Sequence, residues 1–378
     1  MVPKDIWLFT LGLLMAGAVD AAIPPVAWPA DEFRLAKVPL VVAPPEDPTS
    51  AKKADVAELL DEVEQAIRAF REQGNPRRLG EAERLLNGDL SAEEVSRDQR
   101  WRYAFLQSQL AQSLHQFERA WHYLTEAERS IQQLEEPDRR RDATMQWLLA
   151  AYHLALVQGD YAVAQGHCAA MGELVASLYR QACQIYLRGL REQDPGALNE
   201  LQALIANHLL GGDVALHWIA VSRADLADRL ADDSALDAWR MALLLSPEDR
   251  YTRSRYCEAA LSAEQFQRAL SLSAAEADDE AMLLCRLMAL HGLTSQASVD
   301  AGLQADYLQL RAQVEQRFTE MARGGDIPAS RHRARYLLEI EGRQREALEM
   351  AEEIWTEQRE WPDRQLLLDA RAAVEDER

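Results

Sequence analysis

The sequence predicts an all-α chain wound from consecutive helix-turn-helix hairpins into an α-solenoid. Two observations predict it. Apolar and small residues recur three and four positions apart along nearly all of the body, which places them on single helical faces. Turn landmarks then recur along the chain: Leu79, Phe117, Tyr161, Asp232, Phe266 and Gln344 are separated by 38, 44, 71, 34 and 78 residues. The two long steps each hold two units, of about 35 and 39 residues, so one hairpin recurs at a nearly constant length.

The fourteen residues from Ile6 to Val19 form an apolar run behind Lys4. The run is short of the roughly 20 residues a membrane-spanning helix needs. Val19-Asp20-Ala21 offers small residues where a signal peptidase reads, so residues 1–21 are expected to be a cleaved export signal, with an uncleaved inner-membrane anchor as the alternative. Residues 22–53 are expected to be an extended segment, because 23–48 hold seven of the fourteen prolines, each of which fixes φ and removes a donor.

The first hairpin runs through Val56, Leu59, Leu60, Val63, Ile67 and Phe70, breaks at Gly74-Asn75-Pro76, and returns through Leu79, Ala82 and Leu85. The second pairs Trp101–Ser113 with a helix carrying Phe117, Ala120, Leu124 and Ala127, and residues 132–141 are expected as a charged extension after it. In the third, Leu148, Tyr152 and Ala155 lead to the turn Gly159-Asp160-Tyr161, where glycine ends one helix and aspartate caps the next. Asp194-Pro195-Gly196 turns the fourth. The fifth holds the clearest run: Ala235, Trp239 and Ala242 on one face, stopped by Pro247. Phe266 and Ala269 mark the sixth, the seventh keeps little of the pattern, and Ala347, Ala351 and Ile354 mark the eighth. The repeating body is expected over 54–362, with a capping helix in 363–378.

Small, large, small and then proline in the second helix, with an aromatic at the turn, resembles the tetratricopeptide repeat. Together with the export signal the chain resembles the tetratricopeptide-repeat proteins of bacterial envelopes. The resemblance implies a non-enzymatic, periplasmic scaffold that holds a protein or peptide partner in a concave groove lined by the first helix of each hairpin. By the family's register the groove residues would be Arg102, Phe105, Gln109, Gln146, His153, His217, Tyr251, Glu258, His332 and Tyr336.

Composition narrows the partner. Lys plus Arg number 41 against 62 Asp plus Glu, a net charge of −21, which argues against nucleic acid as a ligand. No HExxH, GxSxG, GxGxxG or phosphate-cradling loop occurs, so neither a catalytic constellation nor a cofactor is expected. An envelope enzyme acting on glycans would need two facing carboxylates in a deep pocket. It stays open as an alternative, as does a structural subunit of an envelope complex. The four cysteines are expected as buried free thiols. One pair could bridge: Cys168 and Cys183 lie on helices that meet at a turn, offset by about 4.5 Å along the axis. Cys257 and Cys285, on first helices of successive units, differ more in height.

Overall fold

The structure is a computed structural model that describes residues 55–73, 76–90, 93–174, 178–209, 215–274, 279–295, 301–323 and 330–376. The expected export signal and proline-rich segment lie outside the described residues. Within them the chain is all helical, and each helix packs on its neighbours in sequence. The elements are α1 (Val56–Gln73), α2 (Pro76–Arg84, continued by a π-helical turn over Leu85–Asp89), α3 (Arg100–Ser113), α4 (Phe117–Ile131), α5 (Pro137–Val157), α6 (Tyr161–Leu174), α7 (Leu178–Glu192), α8 (Gly196–His208) and α9 (Ala215–Arg229). They continue as α10 (Ala235–Leu245), α11 (Arg250–Ser262), α12 (Phe266–Leu272), α13 (Glu280–Thr294), α14 (Ala301–Arg323), α15 (Arg331–Glu339), α16 (Gln344–Glu357) and α17 (Trp361–Asp376).

The small residues do what their spacing demands. Ala120, Ala127, Ala164, Ala242, Ala269, Ala347 and Ala351 are fully buried, so neighbouring backbones approach closely over them. Trp239 fills the gap beside Ala242, and its indole N–H donates to Asp228 at 2.7 Å. Ala235 is only partly buried, because it is the first residue of α10; Ala238, one turn on, takes the close-packed place.

The hairpin turns share one construction. His115, Gly159, Gln193, Ala231 and Glu264 adopt positive φ at the ends of α3, α5, α7, α9 and α11. In each case the next N–H reaches back five residues, as in Gln116 to Ala111 O and Asp160 to Ala155 O, both at 2.8 Å. These are the left-handed terminations that satisfy orphan helix carbonyls. Asp160 also caps α6, accepting from the Val163 N–H at 3.0 Å. α5 begins at Pro137, so residues 137–141 of the expected extension are its first turn; proline is favoured there because its missing N–H would be unpaired anyway.

Besides their neighbours in sequence, alternate helices touch: α1 with α3, α3 with α5, α7 with α9, α11 with α13, α13 with α15 and α15 with α17. Contacts also cross larger intervals, among them α1 with α11 and α9 with α17. The turn between α16 and α17 also reaches the middle of the chain. There the Arg359 N–H donates to Val157 O at 2.7 Å, and Gln358 Oε1 lies 2.9 Å from His115 Nδ1.

All four cysteines are buried and paired. Cys168 on α6 is bonded to Cys183 on α7, with Cα atoms 6.0 Å apart, and Cys257 on α11 is bonded to Cys285 on α13, at 6.4 Å. Both pairs correct the expectation of free thiols; the first is the pair that the turn between its helices left able to bridge. α11 and α13 are direct packing neighbours, so height along successive units is no bar.

Candidate functional site: a cleft ringed by five alternate helices

α9, α11, α13, α15 and α17, with Phe266 at the start of α12, line an open cleft of about 340 Å³. The ring closes because α17 touches α9 and because Arg255 on α11 pairs with Asp228 on α9 at 3.0 Å. Its inner side is charged. Arg255 donates to both Asp228 and Glu258, and stacks over the Trp239 ring at 5.4 Å. Arg335 on α15 pairs with Glu258 at 3.4 Å and with Glu339 at 3.1 Å. Burial works against ionisation of Glu258, but Arg255, Arg335 and Arg331 outweigh it and hold the carboxyl down at about 2. Burial raises Asp228, with Arg255 opposing. The lining also holds the apolar side chains of Leu261, Phe266, Met288, Ile340 and Leu366. Asp369, Gln365 and Ser262 stand toward solvent at the mouth.

Behind the ring lies a second layer of ion pairs. Arg331 bonds Asp363 at 2.6 Å and Glu360 at 2.8 Å, which fixes the start of α17. The Asp363 carboxylate also accepts the Glu360 N–H at 3.1 Å. Arg250 forks onto Asp279, whose other bonds cap α13. A buried charge is tolerable only when so paired.

Of the ten residues expected to line an open groove, Glu258 lines this cleft. Tyr251 and His332 are half-buried nearby in chain order, Tyr251 against the Trp239 ring at 6.3 Å and His332 against Glu280 at 3.1 Å. Arg102 is tied to α1 through Asp61 at 2.7 Å and through Glu64, and Gln146 is half-buried on α5. The other five are inside the protein: Phe105, Gln109, His153, His217 and Tyr336 are each no more than 5% exposed. Gln109 accepts from Arg71 of α1, and the Tyr336 hydroxyl donates to Glu341 at 2.9 Å. His153 accepts the Trp218 indole N–H at 2.9 Å and meets Leu149 O at 2.7 Å, so its Nδ1 carries the proton. His217 Nε2 lies 3.1 Å from the Thr252 hydroxyl. Burial lowers both imidazoles to about 4.

The reason is legible after the fact. α3 is buried without a break from Ala104 to Ala111, and α5 from Leu148 to Ala155. Such stretches have no water-facing stripe, and Leu148–Ala155, apolar but for His153 and the Tyr152 hydroxyl, already reads as a helix enclosed on all sides. The cleft was missed for a different reason: α9 and α17 are 146 positions apart at their first residues, and no local spacing joins them.

Among the described residues no cluster of three or more His, Cys, Asp or Glu is placed to hold a metal, and no helix is long and apolar enough to cross a membrane. No family model, no curated protein and no solved structure matches the chain.

Proposed function

We propose that the protein is an exported, tetratricopeptide-like α-solenoid scaffold that binds a peptide segment of a partner protein and performs no chemistry itself. The observation that carries this reading is the cleft built by one side of alternate helices, the side on which such repeats hold their ligands. The recurrent left-handed turns and the fully buried alanines of the second helices support the repeat assignment. The two disulfides fit a chain that matures in an oxidising compartment, the periplasm, after loss of residues 1–21.

The glycan-cleaving alternative requires a protonated carboxyl facing a free carboxylate across the substrate. Here Glu258 is held by two guanidiniums, and Asp228 by Arg255 and the Trp239 N–H, which argues against these two as the acid and the base.

Affinity capture from an envelope extract tests the proposal. The wild-type chain is compared with Ser262→Trp, whose ring would fill the mouth from an exposed position. The expected result is at least one protein retained by the wild type and lost with the variant. Equal retention by both, or none by either, would overturn the reading.

A further inference from the structure

We infer that the cleft takes the cationic side chain of an arginine or lysine carried on the partner's peptide. The inference rests on the peptide-scaffold reading above and names the chemistry of the occupant.

Charge is the first argument. Four carboxylates line the cleft, Asp228, Glu258, Glu339 and Asp369, against two guanidiniums, Arg255 and Arg335, so the lining is formally −2. Both guanidiniums are already engaged. Arg255 serves Asp228 and Glu258; Arg335 serves Glu258 and Glu339. Asp369 has no ion pair or hydrogen bond among the described residues; burial disfavours its charge most, Glu339 repels it, and Arg335 opposes both. A cation placed between these two carboxylates relieves that repulsion.

Shape and polarity supply the second argument. A long aliphatic stem ending in a charge needs an apolar wall with an acidic rim, because its methylenes bury while its head stays near water. Phe266, Met288 and Ile340 form such a wall, and Glu339 and Asp369 such a rim. The volume, about 340 Å³, suits one long side chain with the peptide unit that carries it.

The third argument separates a peptide from a free amine. The buried Nε of Arg255, on a side chain only 6% exposed, has no acceptor. A donor left so costs stability. A main-chain carbonyl of the occupant supplies an acceptor once the Arg255 side chain shifts to meet it, and a polyamine supplies none. The net charge of −21 favours encounter with a basic segment in either case.

Calorimetric titration of the full chain decides among these. The probes are acetyl-Ala-Arg-Ala-amide, the same peptide with norleucine or with glutamate in place of arginine, and spermidine. The arginine peptide is expected to bind at least tenfold more tightly than the norleucine peptide, and to weaken as salt is raised. Asp369→Asn is expected to cost roughly fivefold, a rim-charge effect. Asp369→Lys, which tethers an ammonium in the cleft, is expected to abolish binding. Asp369 is exposed, so both variants should keep the wild-type unfolding midpoint. Norleucine or glutamate peptides binding as well as arginine would overturn the cation and leave the scaffold reading standing. Arginine binding untouched by Asp369→Lys would overturn the site. Spermidine binding without peptide binding, or no binding at all, would overturn both the occupant and the scaffold reading.

Discussion

His217 shows how one buried residue ties stability to pH. Its imidazole is lowered by burial from 6.5 to about 4, so the unfolded chain takes up the proton first. Stability from this group is complete above about pH 6.5 and drains away as pH falls toward 4. His153 behaves alike. Asp249 opposes them: burial lifts its carboxyl to about 7, despite the bonds from Thr252, so its contribution is lost as pH rises. Replacing His217→Gln, whose amide can still reach Thr252, removes one proton from the balance. Between pH 5 and 6 the slope of unfolding free energy against pH is expected to flatten by about 1.2 kcal/mol per pH unit. Urea titrations at the two pH values measure it, and an unchanged slope would mean that His217 stays accessible to protons in the fold. The same residue shows where sequence reasoning ran out. Its place on a first helix was legible. Its burial was not, because that depends on Thr252 arriving from α11.

At the scale of single elements the hairpins were largely legible and their terminations were not. Phe117, Tyr161, Ala235, Phe266 and Gln344 mark the starts of α4, α6, α10, α12 and α16, as apolar spacing and turn residues indicate. Gly159 announces its left-handed turn by being glycine. His115, Gln193, Ala231 and Glu264 adopt the same conformation with nothing in their chemistry to signal it. Each carries a steric cost of about 1–2 kcal/mol relative to glycine, partly offset by glycine's larger entropy when unfolded. Ala231→Gly is therefore expected to raise stability by about 0.5–1 kcal/mol, against the usual penalty for introducing glycine near a helix. Thermal unfolding reads the sign, and a lower midpoint would contradict the turn geometry. α5 was read too short for a related reason. Asp138 to Arg141 form its exposed first turn, and a polar turn leaves no apolar spacing to detect.

Across the whole molecule the decisive contacts are those that depart from sequence order. A stack of repeats in which each unit meets only the next unfolds piecemeal from its ends. Here α9 meets α17, α1 meets α11, and Arg359 is bonded to Val157. Gly159 lies under the same strap: a Cβ there would come within 3.1 Å of the Arg359 side chain. Arg359→Pro deletes the N–H that Val157 accepts, and Gln358 before it is already extended, the conformation a following proline requires. The substitution is expected to cost about 1 kcal/mol. Amide exchange should quicken in α17 and at the end of α5 while α1 to α4 keep their rates. Uniform quickening, or none, would show that the strap carries no load of its own. The individual hairpins were readable from the sequence, whereas this closure was not, since a hydrogen bond between positions 157 and 359 leaves no trace in local pattern.

The strap also sets how the protein answers force. A pile of helices free at both ends behaves as a coil spring, each gap opening slightly as the ends are drawn apart. With the turn before α17 hitched to the tail of α5, a pull between α1 and α17 cannot be shared among all the gaps. The span from α5 to α16 is bypassed, as a rope is shortened by a loop tied in it. Only when the bond at Arg359, the His115–Gln358 contact and the packing of α17 on α9 give way is the hidden length released. Under tension the molecule would hold stiff and then lengthen abruptly, as a buckle does rather than a spring.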